Sequence, residues 1–309
     1  MKKILESLRV PSDTKIDLRH DYDPGYVGNF MSKEDAEETT TADIQLLAQQ
    51  QDKLYAQNTY GLLIILQGLD AAGKDSTIKH VMSGVNPQGV QVTSFKVPSA
   101  EELDHDYLWR SYVALPSRGK IGIFNRSYYE EVLVVRVHPE YLERQHLPPV
   151  LNDQTIWNQR FQEINHFERY LVDNGIIVMK FFLNVSKEEQ KKRFLQRIEE
   201  LDKNWKFSAA DIHERASWDD YMNAFEEMLN NTSTAYAPWY ILPADHKWFS
   251  RLAVVSVINE TLDRLHLAYP EVTKEQKEAL IAAKTEMEQE NGDTAGGKQK
   301  RKKKKGKKS

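Results

Sequence analysis

The run "GLDAAGK" sets Gly68 and Gly73 on either side of four residues, with Lys74 directly behind. Glycines so spaced let backbone N–H groups converge on phosphate oxygens. A helix that follows adds its partial positive charge, and Lys74 reaches the group being transferred. The chemistry is phosphate binding, with Gly68, Ala71, Ala72, Gly73, Lys74, Asp75 and Ser76 as the cradle. Asp75 stands where such loops ordinarily carry the Ser or Thr that holds magnesium, and Ser76 and Thr77 come late. Asp70, a hard carboxylate inside the loop, is then the expected Mg2+ ligand, and a turn aspartate capping the helix is the alternative.

A second candidate group is "IFNRSYYEE", where Asn125 ends an apolar run and Arg126 follows. At the carboxyl edge of a parallel sheet a guanidinium grips phosphate bidentately. The plainer reading makes Asn125 a turn residue and Arg126 a structural ion-pair partner. Glu130 and Glu131 supply a carboxylate or form a solvated face, and Arg136 is a further candidate phosphate contact. A third group is "SKEEQKKRFLQRIEELDKNWKFS", with Lys192, Arg193, Arg197, Lys203 and Lys206. On a helix Arg193 and Arg197 lie one turn apart and form a short rail for successive phosphates. Glu188, Glu189, Glu199 and Glu200 dilute that charge, so a solvated helix face competes.

The elements that must position these residues alternate. "GLLIILQG" reads as a buried parallel strand, followed by a helix from "KDSTIKHV". "VQVTSFKV" and "KIGIFNRS" give a second and third strand. Between them Ser99 and Glu102 stand at capping-box spacing before a long amphipathic run. An irregular flap follows, then a helix over about 152–173, a fourth strand at "IIVMKFFLNV", helices over about 186–202 and 208–231, a fifth strand at "WYILPA" and a closing helix. The expectation is an α/β three-layer fold of phosphate-loop kinase type, with a mostly parallel five-stranded sheet and a helical lid. Residues 1–57 read as an N-terminal extension and 58–270 as the kinase domain, with lid segments around 128–150 and 190–210. From 271 to 309 a charged helix is expected to fade into a disordered tail.

Composition excludes several classes. With no cysteine there are neither disulfides nor thiolate metal sites, and the nine histidines show no HExxH-type spacing. Apolar runs such as "LLIIL" fall far short of a membrane span, so a soluble, cytoplasmic protein without a membrane partner is expected. Lys298 to Ser309 carry nine Lys or Arg and no acid, which leaves 33 basic against 46 acidic side chains in the rest. A body that acidic is no general nucleic-acid binder, and a polyanion must enter by a local basic channel. Trp109, Trp157, Trp218 and Trp239 sit in apolar contexts and are expected in the core.

The runs "QGLDAAGKDSTIKHV", "NPQGVQVTSFKVPS" and "IGIFNRSYYEEVLVVRVHP", with "KNWKFS", resemble the polyphosphate kinase family of the second type from about Lys15 to Tyr269. The resemblance implies a lidded kinase that uses Mg2+ to move phosphoryl groups between inorganic polyphosphate and adenine nucleotides, guanine nucleotides being a second option, and that forms a homo-oligomer. By it Asp70, Lys74, Asn125, Arg126 and Arg193 carry the reaction, with Lys206 as a lid lysine and Arg193 and Arg126 clamping flanking phosphates. Much of the family has Asp where this chain has Asn125, and the Asn form resembles the subgroup that accepts both AMP and ADP. An ATP-dependent nucleotide kinase on the same fold and a non-catalytic nucleotide or polyanion sensor stand as alternatives.

Overall fold

The computed structural model describes residues 1–30, 32–148, 155–206 and 208–302, in two units, Met1–Ala268 and Tyr269 onward. The first unit is built on five strands: β1 (Gly61–Gln67), β2 (Val90–Ser94), β3 (Ile121–Asn125), β4 (Ile176–Asn184) and β5 (Trp239–Pro243). Every pairing is parallel and the spatial order is β2-β3-β1-β4-β5. β1 is therefore central and its seven residues are all buried, as a continuous apolar run in a doubly covered sheet requires. β2 at the edge is different, with Gln91 and Val92 exposed.

Register decides what meets at the carboxyl end. Leu66 pairs with Asn125 across β1 and β3, so the loop that begins at Gly68 and the turn that begins at Arg126 leave the sheet side by side. The chain runs out to β2 and back to β3 on one side of β1, then crosses to β4 and β5 on the other. This reversal of strand order opens a crevice above β1.

Six helices of the first unit matter here: α1 (Lys33–Gln57), α2 (Lys74–Val81), α3 (Ile156–Asp173), α4 (Lys187–Glu199), α5 (Trp218–Thr232) and α6 (Lys247–Asp263). α1 packs along α6, with Leu47 and Leu54 wholly buried and Asn259 donating to the Asp43 carbonyl at 2.8 Å. Ile4, Leu5, Leu8 and Val10 are also buried, and the Val10 N–H donates to the Trp239 carbonyl at 2.9 Å. Residues 1–57 are thus built into the core, because their apolar side chains cover a face that the sheet alone leaves open.

Other boundaries moved for local reasons. The run after Ser99 makes its capping box but gives only short helices at Ala100–Leu103 and Trp109–Tyr112, since Asp106 turns the chain by accepting from the Leu108 N–H at 2.9 Å. The expected helix over 208–231 is broken by a 3-10 turn at Arg215–Ser217 before α5. The start of the helix expected at 152 lies outside the described residues. Of the four tryptophans expected in the core, Trp218 and Trp239 are buried and Trp109 and Trp157 partly so, whereas Trp205 is exposed. In the second unit Lys274–Lys302 forms one helix, α7, fully exposed through Gln289; the charged helix expected beyond residue 270 is present and continues into the run where it was expected to fade.

Candidate active site

Gly68 takes φ 151°, and a Cβ there would sit 2.9 Å from the Leu183 carbonyl oxygen, so only glycine lets the loop turn off β1. Gly73, at φ 114°, is the N-cap of α2. No side chain caps that helix start, and its first N–H groups remain for a phosphate. Ala71 is left-handed at φ 64°, as is Arg126 at φ 62°, conformations that cost a residue with a Cβ about 1–3 kcal/mol and persist only where the surroundings enforce them.

Lys74 is 7% exposed and bends back over its own loop, Nζ donating to the Gly68 carbonyl at 2.6 Å and the Leu69 carbonyl at 3.2 Å. Burial first, and the Arg126 charge second, lower its pKa to about 8 against the pull of Asp70, Glu130 and Asp75. The Arg126 guanidinium reaches Asp70 with one arm and Glu130, at 3.1 Å, with the other. Those carboxylates, Glu130 foremost, hold Arg126 charged at any accessible pH. Burial pushes the Asp70 carboxyl up, but the Arg126 and Lys74 charges outweigh it, and the acid stays ionised. Asn125 donates from Nδ2 to Asp75 Oδ1 at 2.7 Å, and its own Oδ1 is buried with no hydrogen-bond partner among the described residues.

The remaining candidates divide. Arg193 is brought to the loop, yet it does not stand free as a phosphate clamp. It is 4% exposed; Nε donates to Glu189 at 2.9 Å, one terminal nitrogen to the Ala71 and Ala72 carbonyls at 3.0 and 2.8 Å, and the other to the Ala244 and Asp245 carbonyls. All five of its N–H donors are thereby engaged, and they hold the left-handed Ala71 in place. Gln190 adds a bond from Nε2 to the Asp70 carbonyl at 3.0 Å. Arg197, one turn on, keeps the more open position: it lines the cleft and lies 3.5 Å from Asp211.

Arg136 is not in the site. The short helix Val134–Val137 turns Val134 and Val135 to the cleft and sends Arg136 away, where it binds Glu227 at 2.6 Å. Glu131 is neither a solvated face nor a free ligand, being 5% exposed and bound to Arg160 at 3.1 Å and Gln145 at 2.8 Å. Lys206 ends a 3-10 turn at Asn204–Lys206, and its side chain lies outside those described.

These groups floor a cleft of about 850 Å3. One wing, after β2 and β3, is aromatic. Phe95, His105, Tyr107 and Tyr141 line it, with Arg110 over the Phe95 ring at 5.3 Å and Arg144 over the Tyr141 ring at 4.9 Å. The other wing is cationic, with Arg197 on α4 and Lys203 just after it. Sequence reasoning missed the aromatic wing. The usable signal was position, since Phe95 and Lys96 follow the carboxyl end of a parallel strand, where ligands of open α/β sheets bind. A buried cluster beneath the site also went unseen. Lys180 on β4 and Glu168 on α3, both wholly inaccessible, pair at 2.6 Å, and Glu168 accepts from Tyr128 and Tyr129 at 2.8 and 2.7 Å. It anchors the segment just beyond Arg126.

Comparison with known proteins gives a consistent picture. Residues 30–269 match the family described as Polyphosphate kinase 2. The chain is 48% identical over 291 residues to the ADP-polyphosphate phosphotransferase of Rhodopseudomonas palustris, covering 93% of this chain and 99% of that protein. It is 40% identical over 278 residues to the AMP/ADP-polyphosphate phosphotransferase of Meiothermus ruber, covering 90% and 100%. Among solved structures, the crystal structure of polyphosphate kinase 2 from Arthrobacter aurescens superposes with a TM-score of 0.81 at 38% identity, over 90% of this chain and 96% of that one.

Proposed function

Since the chain belongs to the polyphosphate kinase 2 family, we infer that it is a phosphotransferase that moves phosphoryl groups reversibly between inorganic polyphosphate and nucleotides, ADP and AMP both serving as acceptors. The observation that carries the reading is the joining of two anion grips at one point. The uncapped start of α2 with Lys74 lies on one side, and Arg126, braced by Asp70 and Glu130, on the other. In the forward reaction a terminal phosphate oxygen of the nucleotide forms a bond to the end phosphorus of polyphosphate, the P–O–P bridge to the next phosphate breaks, and the shortened chain leaves with that oxygen. The acceptor phosphate is already anionic, so no protein base is needed; positioning and charge neutralisation do the work.

The donor chemistry at the loop fits magnesium. Asp70 and Asp75 offer hard oxygens. Such oxygens suit an ion held by one or two carboxylates and otherwise by substrate phosphates. When bound, magnesium supplies charge neutralisation between the phosphates. Asp70 and Asp75 would hold it; Lys74 and the α2 N–H groups bind the transferred group, Arg126 orients the acceptor phosphate, and Arg193 shapes the loop.

The two relatives differ in the acceptor that their names print, ADP in one and AMP or ADP in the other. Asn125 supports the broader range here, because an amide adds no negative charge beside an acceptor phosphate. The aromatic wing supports a nucleotide whose base lies against Phe95 and Tyr107. Within the described residues no helix is long and apolar enough to cross a membrane. Incubation with Mg2+, ADP and polyphosphate, without ATP, tests the function. ATP must appear in proportion to polyphosphate consumed, and ATP formed equally without polyphosphate, or none at all, overturns it.

A further inference from the structure

The positive charge above the sheet continues beyond the loop. α6 starts directly after β5 with Lys247, and Arg251 follows one turn later on the same face. Like charges so placed weaken a helix in isolation. Among the described residues neither side chain makes an ion pair, and Arg251 Nε is buried without an acceptor. Lys247 lines the same cleft as Lys74, Arg193 and Lys203. Burial, then the Arg193 charge, lowers the pKa of both Lys247 and Arg251, and His80 on α2 is lowered by burial and then by Arg251 and Lys33. The nearby acids oppose this only in part: Glu189 acts on Lys247 but is itself bound to Arg193 and Lys192, and Glu37 acts on His80.

We propose that Lys247 and Arg251 form a second anion subsite, which holds phosphates of a polyphosphate chain lying beyond the one gripped at Lys74. Lysine and arginine side chains only donate, so the ligand must be an acceptor along its length. The neighbouring aromatic residues of α6 are already engaged: Trp248 packs edge-on against Phe249 and against Phe30, and Phe249 packs at a tilt against Phe30. The ledge therefore offers charge without a platform for a base. That separates it from the aromatic wing and favours an inorganic chain over a nucleotide or a nucleic acid.

The inference rests on the proposed function, and its test reads binding as well as turnover. The full chain and a Lys247→Gln/Arg251→Gln variant are compared with tripolyphosphate and with chains of defined greater length. The ratio of KM for long chains to KM for tripolyphosphate should rise about tenfold in the variant, the size of effect that removing one charge-assisted hydrogen bond produces. KM for ADP should stay within about twofold, and equilibrium binding of long polyphosphate should weaken in parallel. A KM that rises equally at every length, a selective rise for ADP, or no change at any length overturns the subsite. So does a single-stranded oligonucleotide that binds the full chain, competes with polyphosphate and loses its hold in the variant. A full chain that binds long polyphosphate more tightly than the variant yet makes no ATP defeats the function and leaves the ledge standing.

Discussion

Asn125 Nδ2 donates to Asp75 Oδ1 across 2.7 Å, and this bond joins the end of β3 to the first turn of α2. Replacing the amide by a carboxylate sets two like charges against each other at the floor of the cleft. Unit charges about 4 Å apart interact by roughly 4 kcal/mol at an effective dielectric near 20, so the pair needs a cation between them. ADP brings one more readily than AMP, having more phosphate oxygens to chelate it. Asn125→Asp should therefore lower kcat/KM for AMP distinctly more than for ADP, with polyphosphate as donor in both assays. Equal losses would show that the residue serves loop geometry alone, and a wild-type chain inert toward AMP would sink the substrate claim.

Lys74→Met should reduce turnover at least about a hundredfold, since one preorganised charge on the transferred group contributes several kcal/mol. The same change should raise the melting temperature of the ligand-free protein at pH 7. With a folded pKa of about 8 against 10.5 unfolded, the unfolded chain binds more protons between those values. The destabilisation from burying the charge is thus fully present below about pH 8 and declines as pH rises toward 10.5. At about 1.4 kcal/mol per pKa unit it is on the order of 3 kcal/mol. Thermal melts at pH 7 and pH 10 check this: the gap between variant and wild type should narrow at the higher pH.

Arg193 and Arg197 are one helical turn apart, and their variants should differ in kind. Arg193→Ala removes the bonds to four loop and strand-end carbonyls and should cost about 2–4 kcal/mol of stability together with most activity. Arg193→Lys should not restore either property, because a single ammonium cannot replace the fork. Arg197→Ala should leave the melting temperature nearly unchanged and act through KM. If the two alanine variants melted alike, the loop-bracing role of Arg193 would be wrong.

Deleting Lys298 to Ser309 should leave kcat with short polyphosphate nearly unchanged while weakening capture of long chains at low ionic strength, an effect that vanishes as salt is raised. Initial rates at low and high salt, with short and long chains, measure it. A folded but inactive truncation would place the tail in the active site.

The sequence by itself determined the phosphate loop, the strand-end pair and the alternating architecture. Each depends on residues close together in the chain: Gly68 because glycine frees the backbone there, Lys74 because it directly follows the loop at the start of the next helix, and β1 because five apolar residues in a row, Leu62 to Leu66, suit a buried strand. Only the tertiary structure decided which long side chains face the cleft. Arg193, Arg197 and Arg136 are alike as residues, yet one is fastened to carbonyls of the loop and of the turn after β5, one opens on the cleft and one pairs with Glu227. Glu168 and Lys180, ordinary charges in the chain, became a wholly buried pair. The physical reason is reach. A flexible cation finds the nearest acceptor in space, and which acceptor that is depends on the packing of elements far apart in the sequence.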